Sequence, residues 1–157
     1  MRAMAVMTAF VAALSTACSS FEQPAPSIIA HADVLKEAQA FMDSYGADLR
    51  TGNRQAIAEL YDRRGAYFLI NGNKEFLSFQ EIVNLYAGPK WTPPTSFEWQ
   101  DLSYEAIGRD AVGIAGKFIA SRPNRGPRTV SYTGLLLRQD GVLRIRLEDE
   151  SVAPEKP

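Results

Sequence analysis

The sequence predicts an α+β fold: a cone-shaped barrel in which a strongly bent antiparallel sheet wraps around a long N-terminal helix. Three observations point to it. Apolar residues recur at helical spacing from about Ala32 to Arg50. The C-terminal half consists of long runs of alternating polarity separated by turn residues. The last two runs meet at Asp140-Gly141, a pair suited to a two-residue hairpin because both positions need positive φ. Helix, helix, short hairpin, helix and then long strands is the segregated order of an α+β domain.

Composition bounds the chemistry. The chain has 157 residues, enough for one domain with its own core, and 46% are apolar. The formal net charge is −1, so no basic surplus suggests a nucleic-acid partner. His31 and Cys18 are the only His and Cys. A disulfide within the chain is excluded, a zinc or copper site lacks its clustered ligands, and no cofactor motif is present. A Ser-His or Cys-His nucleophile has few parts to draw on.

Residues 1–17 read as a secretory signal: Arg2 supplies the positive start, Met4 to Leu14 the apolar stretch, and Ser15-Thr16-Ala17 the small residues before Cys18. The ending resembles a bacterial lipobox, which implies lipidation of Cys18 and, with Ser19 next, an outer-membrane lipoprotein facing the periplasm. Ordinary cleavage after Ser15-Thr16-Ala17 is the alternative, giving a soluble periplasmic or secreted protein. Loss of Arg2 takes the net charge from −1 to −2. Residues 18–31 read as a tether, because Ser19-Ser20, Pro24 and Pro26 disfavour packing. His31 at its end reads as a solvated residue.

The domain is expected over 32–152, with 153–157 as a tail. In the first helix Val34, Ala38, Phe41, Met42, Tyr45 and Leu49 share a face, and Gly46 suggests close packing. Thr51-Gly52 ends it, and Asn53 caps a second helix with Ile57, Leu60 and Tyr61 buried. Ala66 to Ile70 is a strand, Asn71-Gly72 a turn, and Lys74 to Leu77 a short partner. Ser78-Phe79-Gln80-Glu81 is a capping box opening a third helix, stopped by Gly88-Pro89. Phe97 and Trp99 keep one strand phase while Leu102, Tyr104 and Ala106 keep the other, which predicts a β-bulge near Gln100-Asp101. Ala111 to Ser121 is a further strand, and Arg122 to Pro127 a basic loop that reads as a solvated tip.

In the final hairpin a tight turn makes Gln139 face Val142, Leu136 face Ile145 and Tyr132 face Asp149. Val130, Tyr132, Gly134 and Leu136 then share the core face with Ile145, Leu147 and Asp149. Leu135, Leu137, Arg144, Arg146 and Glu148 fall on the other face. Asp149 is the one acid on the apolar face, where its pKa should rise, and is the candidate general acid or base. Leu135 and Leu137 outside are the candidate interface of a homodimer.

From Ala32 to Ser151 the chain resembles the nuclear transport factor 2-like superfamily. The resemblance rests on the Tyr45 to Gly52 helix end, on Ile57-Ala58-Glu59-Leu60-Tyr61, and on Ser78 to Tyr86. It rests also on Asp110-Ala111-Val112 and on Arg138 to Ile145 followed by Ser151. That superfamily includes ketosteroid isomerase, polyketide cyclases, dehydratases and binding modules, so a shared fold transfers little function. Tyr45 falls where the isomerase places its oxyanion-hole tyrosine. The isomerase's general-base Asp falls at Leu69 and its second Asp near Thr133 or Gly134, so steroid isomerisation by that mechanism is not implied. Tyr132, Trp99, Trp91 and Tyr61 are candidate pocket residues, with core packing the competing role for Trp99 and a loop anchor that for Trp91. The expected function is an envelope-located, lipid-anchored module that binds a small apolar molecule or an envelope protein. The alternative is an isomerase, cyclase or dehydratase using Asp149 with tyrosines.

Overall fold

A computed structural model describes residues 28–70 and 72–152. The expected signal segment, Cys18, most of the tether and the tail lie outside the described residues. Helix α1 spans Ile28–Thr51 and so begins before the expected Ala32, taking His31 into the helix. α2 (Arg54–Glu59) is capped by Asn53, whose side chain accepts from the Ala56 amide. β1 (Ala66–Ile70) and β2 (Asn73–Leu77) form the short hairpin. α3 (Phe79–Ala87) opens on the capping box, with the Ser78 side chain and Glu81 satisfying each other's backbone amides. The long strands are β3 (Ser96–Ala106), β4 (Ala111–Arg122), β5 (Arg125–Gln139) and β6 (Val142–Val152).

The six strands form one curved sheet in the order β2-β1-β6-β5-β4-β3. The expectation of an antiparallel, barrel-like sheet needs two corrections. β1 runs parallel to β6, with Tyr67 beside Leu147 and Ile70 beside Glu150. The sheet is also unclosed, with β2 and β3 as its edges. The parallel pair is set up by the α2 exit, where Leu60 accepts from the Ile145 amide and Asp62 donates to the Ile145 carbonyl. α1 lies against β3, where the Trp99 indole donates to the Met42 carbonyl at 2.9 Å. A Cβ at Gly46 would stand 2.9 Å from that indole nitrogen, so the close approach requires glycine there.

Two irregularities aim side chains into the concave face. The β3–β4 register shifts between Gln100 and Ser103, with Asp101 at φ 51, which is the bulge expected from the phase change. The second lies in the final hairpin. The turn pairs Gln139 with Val142 and Leu136 with Ile145, as the Asp-Gly signal requires, but Leu135 then pairs with Leu147. Arg146 is the extra residue. Its guanidinium donates to the Gly65 carbonyl at 2.6 Å and lies over the Tyr67 and Phe76 rings, so the bulge gives this cation a place on the β1–β2 flank. Beyond it every β6 side chain changes face. Glu148 is buried, Glu150 pairs with Tyr132, and Asp149 pairs with Thr133.

Candidate functional site

The buried stripes of α1, α2 and α3 and the concave face of the sheet enclose a tyrosine cluster around one acid. Tyr45 comes from α1, Tyr61 from the segment just after α2, Tyr86 from α3 and Tyr132 from β5, and all four are buried. Glu148, 3% exposed, lies among them. Tyr61 donates to Glu148 Oε2 at 2.6 Å and Tyr132 donates to Oε1 at 2.9 Å. The Tyr61 hydroxyl oxygen lies 2.7 Å from that of Tyr86 and 3.2 Å from that of Tyr45. With Glu148 ionised the proton count closes. Tyr61 and Tyr132 each donate to the carboxylate, and Tyr86 and Tyr45 donate to the Tyr61 oxygen. Burial holds the hydroxyls of Tyr45, Tyr61, Tyr86 and Tyr132 above the usual phenol range, and the Glu148 charge adds to the effect, so they remain donors at neutral pH.

The cluster forms one wall of a cavity of about 220 Å³. Tyr45, Tyr86, Trp91, Phe97, Glu148 and Glu150 are among its lining residues. Trp91 reaches it from the loop after α3. Arg54 holds that loop by donating to the carbonyls of Tyr86, Gly88 and Trp91, with its guanidinium over the Trp91 ring. This gives the extended segment after α3 a fixed shape without secondary structure.

Glu148 and Glu150 share the cavity because they are two apart on one strand face. Burial raises Glu148 above the usual carboxylate range, against the lowering effect of the tyrosine donors. Glu150 is pushed up to about 7, first by burial and then by the charge of Glu148, while Arg122 opposes the rise. Two neighbouring carboxylates in an apolar site do not both ionise readily, and the tyrosines favour the charge on Glu148. At neutral pH the more mobile proton of the pair is therefore on Glu150.

The structure redistributes the residues expected from sequence. Tyr45 and Trp91 line the cavity. Tyr61 and Tyr132 lie behind it and hold Glu148. Trp99 is not a lining residue; it packs beneath the cavity against the rings of Tyr45, Phe97, Phe118 and Tyr132. Asp149 is not in the cavity. The bulge at Arg146 turns it to the opposite face, where it is half-buried and its Oδ1 accepts from the Ser151 hydroxyl at 3.1 Å. Glu148, Glu150 and Tyr86 were missed as site residues. The available signal was the run Glu148-Asp149-Glu150, which delivers an acid to the core face in either register. Leu69, at the isomerase base position implied by the resemblance, lines the cavity as an apolar wall. Among the described residues no group of His, Cys, Asp and Glu is arranged to hold a metal ion.

No known protein family matches the sequence, and no curated protein matches it. Solved structures do match in fold. An NTF-2 like protein of unknown function from Shewanella oneidensis superposes with a TM-score of 0.66 at 13% identity, covering 75% of this chain and 98% of that one. Hexachlorocyclohexane dehydrochlorinase LinA-type3 from Novosphingobium barchaimii gives 0.64 at 14% identity, covering 82% and 92%. An uncharacterized protein with a cystatin-like fold from Caulobacter vibrioides gives 0.61 at 16%, covering 78% and 92%. At these identities the likeness is one of fold, and that fold is nuclear transport factor 2-like.

Proposed function

We propose that this domain binds a small, largely apolar molecule in the aromatic cavity and removes a proton from its carbon skeleton, with Glu150 as the general base. The observation that carries the reading is Glu150 at the cavity wall with its pKa pushed up to about 7 beside the buried Glu148. A base poised near neutrality combines a useful ionised fraction with a strong pull on a proton. The aromatic and aliphatic lining suits the apolar body of such a substrate, while the Tyr45 and Tyr86 hydroxyl protons stay committed to the Tyr61 oxygen. Return of the proton elsewhere on the substrate gives isomerisation; departure of a neighbouring group gives elimination. The fold likeness to a dehydrochlorinase supports elimination as one of the two outcomes, but no substrate transfers at 14% identity.

Nitrobenzisoxazole, which opens when a base removes its ring proton, tests the reading without knowledge of the substrate. Turnover should rise with pH through a midpoint near 7 and fall by about 100-fold or more in Glu150→Gln. No turnover, or equal turnover by the variant, would overturn it.

We propose further that the domain is displayed in the cell envelope through lipid on Cys18. The support is the small-residue context Ser15-Thr16-Ala17 before the chain's single cysteine. One acyl chain anchors only marginally, so firm attachment needs the several chains of a lipoprotein cysteine. Cys18→Ser should move the protein from the membrane fraction to the soluble fraction. A wild-type protein found soluble, or a variant still in the membrane, sinks the idea.

A further inference from the structure

A second cavity, of about 150 Å³, adjoins the first and shares with it Ile70, Phe118, Ala120, Arg122 and Glu150. Its chemistry is different. Val130 and Val152 extend an apolar floor, and Arg122, Arg125 and Arg128 bring three guanidinium groups to its wall. All three arginines lie around the β4–β5 turn, where Asn124 takes φ 66. Arg122 stands directly opposite Arg125 in the strand register. Like charges in that position repel and weaken the hairpin. None of the three arginines is in an ion pair among the described residues, whereas Arg63, Arg64 and Arg138 all are. The one acid lining this cavity with them is Glu150, whose pKa is pushed up to about 7, so its charge offsets theirs only in part. The hairpin tip therefore concentrates partly uncompensated positive charge on a chain whose net charge is −1.

We propose that the ligand is an anionic amphiphile, with its apolar body in the aromatic cavity and its carboxylate or phosphate held between Arg122, Arg125 and Arg128 in the second. An anion there relieves the opposed Arg122–Arg125 pair and makes charge-assisted hydrogen bonds, which guanidinium groups form in bidentate geometry. Continuity of the two cavities through Ile70, Phe118 and Ala120 lets one molecule span both. The apolar floor favours a headgroup attached to hydrocarbon over free inorganic phosphate. This assignment rests on the reading that the first cavity binds a small molecule, and it adds the ligand's class.

Isothermal titration of the whole domain with matched pairs tests it: decanoate against decanol, and naphthoate against naphthylmethanol. The anion of each pair should bind about tenfold tighter or better at low salt. The double variant Arg125→Gln with Arg128→Gln should lose that advantage while its affinity for the alcohols is unchanged. Both residues are exposed, so the fold should survive, and its circular dichroism checks this. Equal binding of anion and alcohol overturns the headgroup site but leaves the cavity reading standing. Failure of all four to bind overturns both. Anion preference undiminished in the double variant places the headgroup elsewhere and overturns the assignment. Capture on phosphatidylglycerol vesicles, with no binding of the soluble anions, makes a bilayer surface the partner and likewise overturns it.

Discussion

Replacing Tyr61 with phenylalanine is expected to destabilise the domain by about 3–5 kcal/mol, although it removes a single oxygen and opens no cavity of consequence. That oxygen is the meeting point of three groups. It donates to Glu148 at 2.6 Å and lies 2.7 Å from the Tyr86 hydroxyl and 3.2 Å from that of Tyr45. Its loss takes a charge-assisted hydrogen bond from a fully buried carboxylate, worth about 1.5–3 kcal/mol, and strands two buried hydroxyl donors at about 1 kcal/mol or more each. Tyr132→Phe removes one bond to the same carboxylate without stranding a hydroxyl, and should cost about 1.5–3 kcal/mol. Urea unfolding of the two variants beside the wild type gives the comparison. Equal and small losses, below about 1 kcal/mol, would show that Glu148 draws its stabilisation from elsewhere.

The domain should also become less stable as pH rises from about 5 to about 8, the reverse of the usual behaviour of a protein rich in salt-bridged acids. Glu150 has an ordinary value of 4.5 when exposed and is pushed up to about 7 in the fold. Between those values the folded state keeps a proton that the unfolded state has released, so each step up in pH favours unfolding. At 1.36 kcal/mol per unit the loss accumulates to about 3 kcal/mol once pH exceeds 7. Glu148 is raised too and acts in the same direction. Glu37, held down by its hydrogen bond to Arg138, and Asp62, held down by Arg64, act oppositely, but their contribution is lost only below their ordinary values of 4.5 and 3.8. The two effects therefore occupy separate windows. Melting temperature measured across that range should fall in the wild type and fall less steeply in Glu150→Gln, where only Glu148 still acts in this direction. A flat wild-type profile, or an unchanged slope in the variant, would show that Glu150 is not the group responsible.

Local chemistry made the elements legible in sequence, because each carried its own signal: the Asn53 cap, the Ser78–Glu81 box, the phase change at Gln100-Asp101 and the Asp140-Gly141 turn. The candidate site was legible only in part. Tyr45, Tyr61 and Tyr132 stood out as aromatics on buried stripes, and all belong to the cluster around Glu148. The identity of the acid depended on Arg146, whose bulge is stabilised by the Gly65 carbonyl and the rings of Tyr67 and Phe76. Those partners lie about 70 to 80 residues earlier, around the β1–β2 hairpin, and no local pattern announces the parallel approach of β1 to β6. One unpaired residue then exchanged the faces of Glu148 and Asp149. Tyr86 was hidden for a related reason: its helix was evident, but its neighbours across the cavity were not.

The parallel contact of β1 with β6 also imposes an order of assembly. α1, α2, the β1–β2 hairpin and α3 all leave the ribosome well before Glu148 does. Until β6 arrives, the Tyr61 hydroxyl has no carboxylate to donate to and the inner edge of β1 is unpaired. The nascent chain thus carries its catalytic candidates on the last strand to dock, and the loop closed by that docking is among the longest available to it. A chain in which β6 has not yet docked exposes an aromatic surface and an open strand edge, both of which favour aggregation. The side chain that completes the tyrosine cluster and the strand that joins β1 to the long hairpin are therefore delivered together.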